Sequence, residues 1–315
     1  MRLLLALVPF AIVAACALHA DSTGTTLVRP RFSTCVEPPQ NAPSGFRHGK
    51  PMGAPRYRAN DLVALATDET QTLSGKLAYS SLDFDLGDED VELYICKSGS
   101  WESLSGRTTT DRHGRWSVDL TGDARLPPGL HDIFAFVPAD GGGVHELAYV
   151  AAPGQSVVVA DIDGTLTESE NAIVNTVLFG DDIAHRLNAP QALRATGHTV
   201  VYLSARGDQY TELTRHWLSA HGFPDGPIVL AHEGFVKPGP AQQQFKIDAL
   251  RALRVPIAAG VGNRITDIIA YTRAGLRPEQ ILVFLPEYQD EVRDQLVARH
   301  AIGFRDYRSL PALVR

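Results

Sequence analysis

The segment that decides the fold of this chain is residues 157–167, which read VVVADIDGTLT. Its short apolar run ends at two carboxylates and a glycine, as expected for a buried strand of a parallel sheet. Ligands of such sheets bind beyond the carboxyl ends of the strands. Asp161 and Asp163 therefore predict a nucleophile, a metal ligand and a proton donor in one loop. The alternative is a strand-to-turn junction in which Asp163 and Gly164 only supply turn chemistry.

The sequence after Pro153 alternates between strand-like and helix-like patterns. Short apolar runs indicate strands, and apolar residues at helical spacing, such as Tyr210, Leu213 and Trp217, indicate helices between them. This alternation predicts a three-layer, Rossmann-like α/β domain with a mostly parallel sheet. The predicted strands are 156–160, 199–203, 228–230, 257–261 and 281–284, and the predicted helices are 209–221, 241–253, 264–274 and 290–300.

The first half of the chain has a β pattern instead. Apolar residues at Val91, Leu93 and Ile95 alternate with polar ones, which indicates a half-buried strand. Short strands separated by turn residues at this spacing predict a β-sandwich. The predicted strands are 75–81, 91–95, 115–120, 130–137 and 144–150. The predicted division is a signal peptide at 1–20, a tether or irregular extension at 21–55, a β-sandwich-like domain at 56–152 and the α/β domain at 153–315.

The composition narrows the class of protein. The 315 residues are 44% hydrophobic and 21% charged, which is typical of a soluble globular protein with room for two domains. The formal net charge is −7 and there is no run of Lys and Arg, so nucleic-acid binding is disfavoured. An acidic protein still binds phosphate where the site itself is positive or holds a metal. The sequence leaves the oligomeric state open.

The N-terminus has the pattern of a targeting signal. Arg2 precedes an apolar stretch, residues 3–15, that is too short to span a bilayer. The stretch ends in Val-Ala-Ala-Cys, which resembles a bacterial lipobox with Cys16 as the lipidated residue. The alternative is simple secretion with cleavage a few residues later. Both predict export, and we favour a periplasmic or outer-membrane-facing lipoprotein, in which Cys35 and Cys96 could pair if they are close.

Three further segments lie where this fold would place a ligand. Residues 204–206 (Ser-Ala-Arg) follow the second predicted strand of the α/β region, Lys246 lies near the start of a predicted helix, and residues 262–267 (Gly-Asn-Arg-Ile-Thr-Asp) follow the fourth strand. A carboxylate loop, a hydroxyl, a lysine and a second acidic loop therefore occur in order. With these four motifs the sequence resembles the haloacid-dehalogenase-like phosphatases.

Within that superfamily the resemblance is narrower. The motifs at 161–167, 202–206 and 262–267 are similar to those of the catalytic domain of lipin-type phosphatidate phosphatases. They are also similar to the C-terminal region of membrane-associated phosphatidylinositol transfer proteins of the retinal-degeneration-B type, in which a β-domain precedes the same α/β domain. The superfamily match covers about residues 156–284, whereas the match for the β-domain rests on pattern.

The resemblance implies a role for each motif residue. Asp161 is implied to be the nucleophile that forms an aspartyl-phosphate, and Asp163 to be the general acid and then the general base. Thr165 is implied to brace the loop and contact phosphate, and Ser204 to donate to a phosphate oxygen. Lys246 is implied to bind phosphate and to neutralise developing negative charge.

Mg²⁺ is the cofactor that the resemblance implies. Its implied ligands are Asp161, the backbone carbonyl of Asp163, and two residues of the second acidic loop, Asn263 and Asp267. We favour Asp267 as the main ligand from that loop, directly or through water.

Three cationic residues have a second interpretation. Arg206 is predicted to bind phosphate and Arg264 is a candidate for the same role, but both could pair with neighbouring acids instead. Lys237 competes with Lys246 for the role of the motif lysine, although residues 238–240 (Pro-Gly-Pro) after it indicate a surface loop.

The short spacings between the motifs leave no room for a large lid domain, so we predict an open site. An open site suits a large or membrane-embedded substrate. The apolar residues Val174, Val177, Leu178 and Phe179 either contact lipid or pack against the sheet. We therefore predict a Mg²⁺-dependent phosphomonoesterase that acts on phosphatidate or a related phospholipid. The alternatives are a periplasmic phosphatase for soluble phosphomonoesters and a non-catalytic phospholipid-binding module.

Overall fold

The computed structural model describes residues 27–80, 82–104, 106–169, 182–232 and 239–314. The predictions for the signal peptide, for Cys16, for the apolar residues 174–179 and for Lys237 concern residues outside these ranges. Within them, mainly antiparallel sheets extend to Ala151, and a parallel sheet with helices follows. The predicted fold class, a β-sandwich followed by a three-layer α/β region, is confirmed.

The sandwich consists of two sheets that share a hydrophobic core and a short hairpin beside them. Its strands are β1 (Arg58–Asn60), β2 (Leu62–Leu65), β3 (Thr70–Lys76), β4 (Ala78–Tyr79), β5 (Phe84–Asp85), β6 (Asp90–Lys97), β7 (Ser100–Ser103), β8 (Thr108–Thr109), β9 (Arg115–Thr121), β10 (Gly129–Val137) and β11 (Gly142–Ala151). One sheet has the order β1-β3-β9 and the other β2-β11-β10-β6-β7, with β8 paired to β6. The hairpin is β4-β5.

The second half is a six-stranded parallel sheet in the order β14-β13-β12-β15-β16-β17. From β12 the chain proceeds outward to one edge, and from β15 it proceeds outward to the other. Ligands bind at such a reversal of strand order, outside the carboxyl ends of the strands. The strands are β12 (Val157–Asp161), β13 (Thr199–Gly207), β14 (Ile228–Ala231), β15 (Ile257–Gly262), β16 (Ile281–Phe284) and β17 (Ile302–Phe304), and the helices are α1 (Ala189–Ala195), α2 (Thr211–Ala220), α3 (Pro240–Ala252), α4 (Ile265–Arg273), α5 (Gln289–Val297) and α6 (Leu310–Leu313).

Strand β12 lies in the middle of this sheet and is buried along its whole length. Val158 and Ala160 pack into the core on one face, and Val157 and Val159 pack into the core on the other. A strand covered on both faces needs a continuous apolar run, which explains the pattern of residues 157–160. Asp161 is therefore the first polar group at the carboxyl end of the strand.

The structure differs from the sequence predictions at several elements. The predicted strand 75–81 is divided, because the chain leaves the ladder at Leu77 and Ser80 has a φ of 63°, which ends β4 in a turn. Strand β13 continues four residues beyond the predicted end at Leu203. Helix α1 and strand β17 were not predicted. In the described part of the chain, no helix has the length and apolarity needed to cross a membrane.

Asp61, between β1 and β2, ties the sandwich to the α/β region. Its Oδ1 accepts hydrogen bonds from the Leu147 amide and from Arg215 Nη2, both at 2.8 Å. Its Oδ2 accepts one from the Ile228 amide of β14, also at 2.8 Å. One buried carboxylate therefore satisfies donors from both halves of the chain.

The irregular segment before β1 is fixed to both halves. A disulfide joins Cys35 to Cys96 of β6, which answers the question that the sequence left open. The Phe32 amide donates to Asp225 in the α/β region at 3.0 Å. The domain limits derived from the sequence remain a proposal, and we place the division between sandwich and α/β region after residue 152.

Glu146 of β11 provides a test of this packing. Its carboxyl group is fully buried, and neither of its oxygens has a hydrogen-bond partner among the described residues. Burial first, and then the charge of Asp61, raise the pKa of Glu146 well above its usual value. Folding therefore takes up a proton between the unfolded and folded pKa values, and stability falls as the pH rises through that window.

We expect Glu146→Gln to lose this pH dependence. The free energy of unfolding of the variant, relative to the native chain, should rise by up to about 1.4 kcal/mol per pH unit above pH 4.5. Urea unfolding at a series of pH values measures it, with the exposed Glu102→Gln as the control. A pH-independent difference between Glu146→Gln and the native chain would contradict the prediction.

Candidate active site

Lys246 lies between two carboxylates at the carboxyl edge of the parallel sheet. Its Nζ donates to Asp161 Oδ1 at 2.6 Å and to Asp267 Oδ1 at 2.7 Å. Asp161 ends β12, Asp267 is in the first turn of α4, and Lys246 is near the middle of α3 rather than at its start. All three side chains are almost completely buried. The structure therefore brings these three predicted site residues into contact, and their roles remain a prediction.

The protonation of this cluster reflects two opposing effects. Burial is the larger effect on Asp161 and raises its pKa to about 7, against the attraction of Lys246. Burial alone would lower the pKa of Lys246, but the charges of Asp161 and Asp267 outweigh it and raise that pKa. Lys246 is thus a fixed cation, and the carboxylates around it are in excess.

The loop after β12 turns back on itself and is held by hydroxyl groups. Gly164 has a φ of 71°, which favours glycine, and its amide donates to Thr167 Oγ1 at 2.8 Å. The Thr165 hydroxyl lies 2.9 Å from Asp161 Oδ2 and 3.0 Å from Asn263 Oδ1, so its one proton serves either acceptor. Thr165 therefore connects the loop after β12 to the second acidic loop.

Asp163 is held by two residues of β13. Arg206 donates to it through Nη2 at 2.7 Å and Nε at 2.9 Å, and Ser204 Oγ donates at 3.0 Å. Ser204 and Arg206 are predicted from the sequence to bind phosphate, but in the structure both contact the Asp163 carboxylate. Pairing with a neighbouring acid was the alternative stated for Arg206.

The second acidic loop is organised by Asp267. Its Oδ2 accepts hydrogen bonds from the amides of Asn263 and Arg264, at 3.0 and 3.1 Å. A Cβ atom at Gly262 would lie 2.5 Å from the Asp267 Cβ, so only glycine allows this approach. Arg264 pairs with Glu291 at 2.9 Å, which is the pairing with a neighbouring acid that was the alternative to phosphate binding.

The sandwich contributes a residue that the sequence analysis missed. The Nε of Arg58, on β1, lies 3.0 Å from Oδ1 of Asp208, the residue after β13. No local sequence signal connects these two residues, because they are far apart in the chain and come from different sheets.

The oxygen atoms at this edge fit a hard divalent cation such as Mg²⁺, which binds few carboxylates together with other oxygens. Asp161 and Asp267 are such carboxylates. The side-chain oxygen of Asn263 lies 3.0 Å from the Thr165 hydroxyl, which also contacts Asp161, and the Asn263 backbone amide donates to Asp267 at 3.0 Å. Two carboxylates, Asp161 and Asp267, share the single cation Lys246, so a bound cation would offset the remaining negative charge. Among the described residues, no group of three or more His, Cys, Asp or Glu side chains is arranged around a metal position.

The parallel sheet and its carboxylate-lysine cluster define a haloacid-dehalogenase-like protein. The particular family follows from the sequence. The LNS2 (Lipin/Ned1/Smp2) family model matches residues 137–314, more than half of the chain, so the chain belongs to this family. The β-sandwich domain model of PITM 1-3 matches residues 55–150. The resemblance stated from the motifs is confirmed.

Three curated relatives illustrate the relationship. Human membrane-associated phosphatidylinositol transfer protein 1 is 27% identical over 271 residues, covering 81% of this chain and 21% of its own length. Nuclear elongation and deformation protein 1 of Schizosaccharomyces pombe is 29% identical over 242 residues, covering 68% and 36%. Mouse phosphatidate phosphatase LPIN2 is 27% identical over 257 residues, covering 73% and 28%. The chain thus spans about a fifth to a third of the length of these relatives.

These comparisons correct one prediction. The predicted localisation, a periplasmic or outer-membrane-facing lipoprotein, is wrong, because the relatives are eukaryotic proteins and the human one is described as membrane-associated. The prediction depended on a four-residue pattern ending at Cys16. Such a pattern occurs easily by chance in a short apolar segment rich in alanine.

The buried pairing of Lys246 generates a prediction about stability. Lys246→Met leaves Asp161 and Asp267 buried together without a counter-charge, so we expect a loss of about 3–5 kcal/mol in the free energy of unfolding. The control is Lys97→Met, which removes an exposed partner of Glu102 and should cost about 1 kcal/mol or less. Urea unfolding measures both, and equal losses would contradict the prediction.

Proposed function

We propose that this chain is a Mg²⁺-dependent phosphomonoesterase that acts through an aspartyl-phosphate on phosphatidate or a related phospholipid. The observation that supports it most is the pairing of Lys246 with Asp161 and Asp267 at the reversal point of the parallel sheet. A nucleophilic carboxylate, a fixed cation for phosphate and an acid-base residue occur there together. The phosphatidate phosphatase among the relatives supports the choice of substrate.

The first step is attack on phosphorus. An Asp161 oxygen forms a bond to phosphorus while the bond from phosphorus to the alcohol oxygen breaks. Asp163 transfers its proton to that leaving oxygen. Lys246 stays protonated throughout and stabilises the negative charge that develops on the phosphoryl oxygens.

The second step releases phosphate. Water attacks the same phosphorus, Asp163 takes its proton, and the bond between Asp161 and phosphorus breaks. Asp163 Oδ1 lies 2.7 Å from Arg206 Nη2, and the carboxylate of Asp163 is the form that accepts this proton. To carry a proton in the first step, Asp163 leaves this pair, and we propose that the substrate phosphate then takes over Arg206 and Ser204.

Mg²⁺ would be held by Asp161, the backbone carbonyl of Asp163, Asn263 and Asp267. When bound, it supplies Lewis-acid stabilisation of the phosphoryl group. Thr165 aligns the side chains of Asp161 and Asn263 for this purpose.

Exposed apolar side chains beside the site support a lipid substrate. Leu82 and Phe84 of the β4-β5 hairpin are 69% and 52% exposed. The hairpin lies at the carboxyl edge of the sheet, because Asp83 pairs with Arg58, which also pairs with Asp208 at the end of β13. We propose that these side chains enter a phospholipid surface.

Leu187 adds a third exposed apolar side chain at this edge. It is 79% exposed, and its neighbour Arg186 donates to the carbonyl of Gly164 in the nucleophile loop at 3.0 Å. Burying even part of each such side chain favours contact with lipid.

The relatives that transfer phosphatidylinositol favour one other function, a phospholipid-binding module without catalysis. That alternative requires no nucleophile and no acid-base residue, whereas Asp161, Asp163, Lys246 and Asp267 are all present and in contact with partners. We therefore favour the enzyme.

The direct test is phosphate release from phosphatidate in mixed micelles, with and without Mg²⁺. We expect metal-dependent release that falls at least about 1,000-fold in Asp161→Asn, because the amide is not a nucleophile. The matched control is Asp290→Asn, an exposed acid in α5, which should retain full activity. A soluble chromogenic phosphomonoester is measured in parallel. Release from the soluble ester alone would contradict the lipid assignment, and binding of phosphatidate without release would favour the non-catalytic module.

A second prediction concerns the apolar edge. Leu82→Ser and Phe84→Ser each remove roughly 2 kcal/mol of possible burial, so each should weaken binding to phosphatidate-containing vesicles about tenfold or more. Turnover of a soluble ester should be unchanged. Vesicle flotation measures the binding, and Val297→Ser, at an apolar residue of α5 that is 78% exposed, is the control. Equal binding by all three variants would refute the proposed contact.

A further inference from the structure

The sandwich places one buried arginine against the edge of the candidate active site. Arg58 is 4% exposed and donates to both carboxylate oxygens of Asp83, through Nη1 at 2.7 Å and Nη2 at 2.8 Å. Its Nε lies 3.0 Å from Oδ1 of Asp208. The guanidinium therefore connects the sandwich hairpin to the residue that directly follows β13.

The end of β13 is irregular where the site residues lie. Its parallel pairing with β14 is regular to Leu203, opposite Val229, and is found again at Gly207, opposite Ala231. Residues 204–206 lie in the interruption. Such bulges redirect side chains next to active sites. The conformation of a bulge depends on the backbone that holds it on either side.

Asp208 defines the downstream side of this bulge. It is 3% exposed, and its carbonyl accepts a hydrogen bond from Thr211 Oγ1 at 2.7 Å. Oδ2 of the same carboxylate lies 3.5 Å from the ring of His232, which is largely exposed. Burial by itself raises the pKa of Asp208, but the hydrogen bond from His232 and the charge of Arg58 outweigh it and lower that pKa. Arg58 is thus the buried counter-charge of a buried carboxylate.

We propose that Arg58 is a positioning residue of the candidate active site. Through Asp208 it fixes the downstream end of residues 204–206, and in this way it keeps Arg206 and Ser204 on Asp163. Arg58 itself contacts no substrate. The consequence for catalysis rests on the proposed function, whereas the effect on residues 204–206 does not.

A second ion pair between the two halves, whose arginine is 68% exposed, provides a control for position in the fold. Arg254, between α3 and β15, lies 2.9 Å from Asp68 of the sandwich. It precedes β15 and so lies at the amino edge of the sheet, away from the candidate site. Arg254→Met therefore removes a contact between the halves without touching the end of β13.

The first measurement is amide hydrogen exchange in the full chain, without ligand. We expect Arg58→Met to accelerate exchange at residues 204–208 by roughly tenfold or more, while Arg254→Met leaves it unchanged. Arg58→Lys keeps a charge near Asp208 and should give an intermediate rate. Asp208→Asn removes the charge of Asp208 and leaves Arg58 paired with Asp83. This variant replaces Arg58→Met if Arg58→Met fails to fold or exchanges faster throughout the chain, and it should also accelerate exchange at residues 204–208.

The second measurement is turnover of phosphate esters. We expect kcat to fall roughly 100-fold in Arg58→Met and less in Arg58→Lys, and to stay unchanged in Arg254→Met, because small displacements of acid-base groups reduce rates to this extent. Unchanged exchange at 204–208 in both Arg58→Met and Asp208→Asn overturns the proposal, whatever the activity. A native chain that hydrolyses no ester overturns the proposed function alone, and hydrogen exchange then decides the role of Arg58.

Discussion

The carboxyl edge of the parallel sheet depends on the ion pairs that the Lys246 ammonium group forms with Asp161 and Asp267. Asp161 and Asp267 come from different strand-loop units, 85 and 21 residues from Lys246 in the chain, and neither could be buried beside the other without it. Together the three side chains carry one negative charge in excess when both acids are ionised. Asp163 and Arg206 form a separate pair that is neutral. The Lys246 cluster therefore keeps an unbalanced negative charge, which a bound cation would offset.

The burial of the parallel sheet explains which parts of the fold and of the candidate site could be predicted from the sequence. Strands β12 and β16 were found because a strand buried on both faces is a continuous apolar run. The end of β13 was not found, because the apolar run stops at Leu203 and residues 204–207 (Ser-Ala-Arg-Gly) continue the strand without an apolar pattern. The motif residues were placed together because parallel strands end at one edge. The pairs Arg206–Asp163 and Arg58–Asp208 were not predicted, because the sequence around each arginine does not indicate which acid it contacts.

Charged residues also fix how the two halves meet. Arg58 pairs with Asp208 and Arg215 with Asp61, and all four are nearly inaccessible to water. Buried ion pairs add little net stability compared with apolar contacts, but a wrong orientation would leave their charges unpaired. We therefore infer that these pairs select one arrangement of the sandwich against the α/β region. The candidate active site is built within that arrangement.

The hydrogen bond from the Ile228 amide to Asp61 has a consequence beyond this arrangement. Among the described residues, strand β14 is an outer strand of the parallel sheet, and this amide donates to Asp61 rather than to the neighbouring strand β13. An uncovered outer strand offers its backbone as a template for another polypeptide, which leads to aggregation. Here the sandwich covers part of the outer strand, because Asp61 accepts the hydrogen bond of the Ile228 amide. An α/β half expressed by itself would retain its motif residues but would expose the backbone of β14 to other chains. The boundary between the two halves is therefore a poor place to truncate the chain.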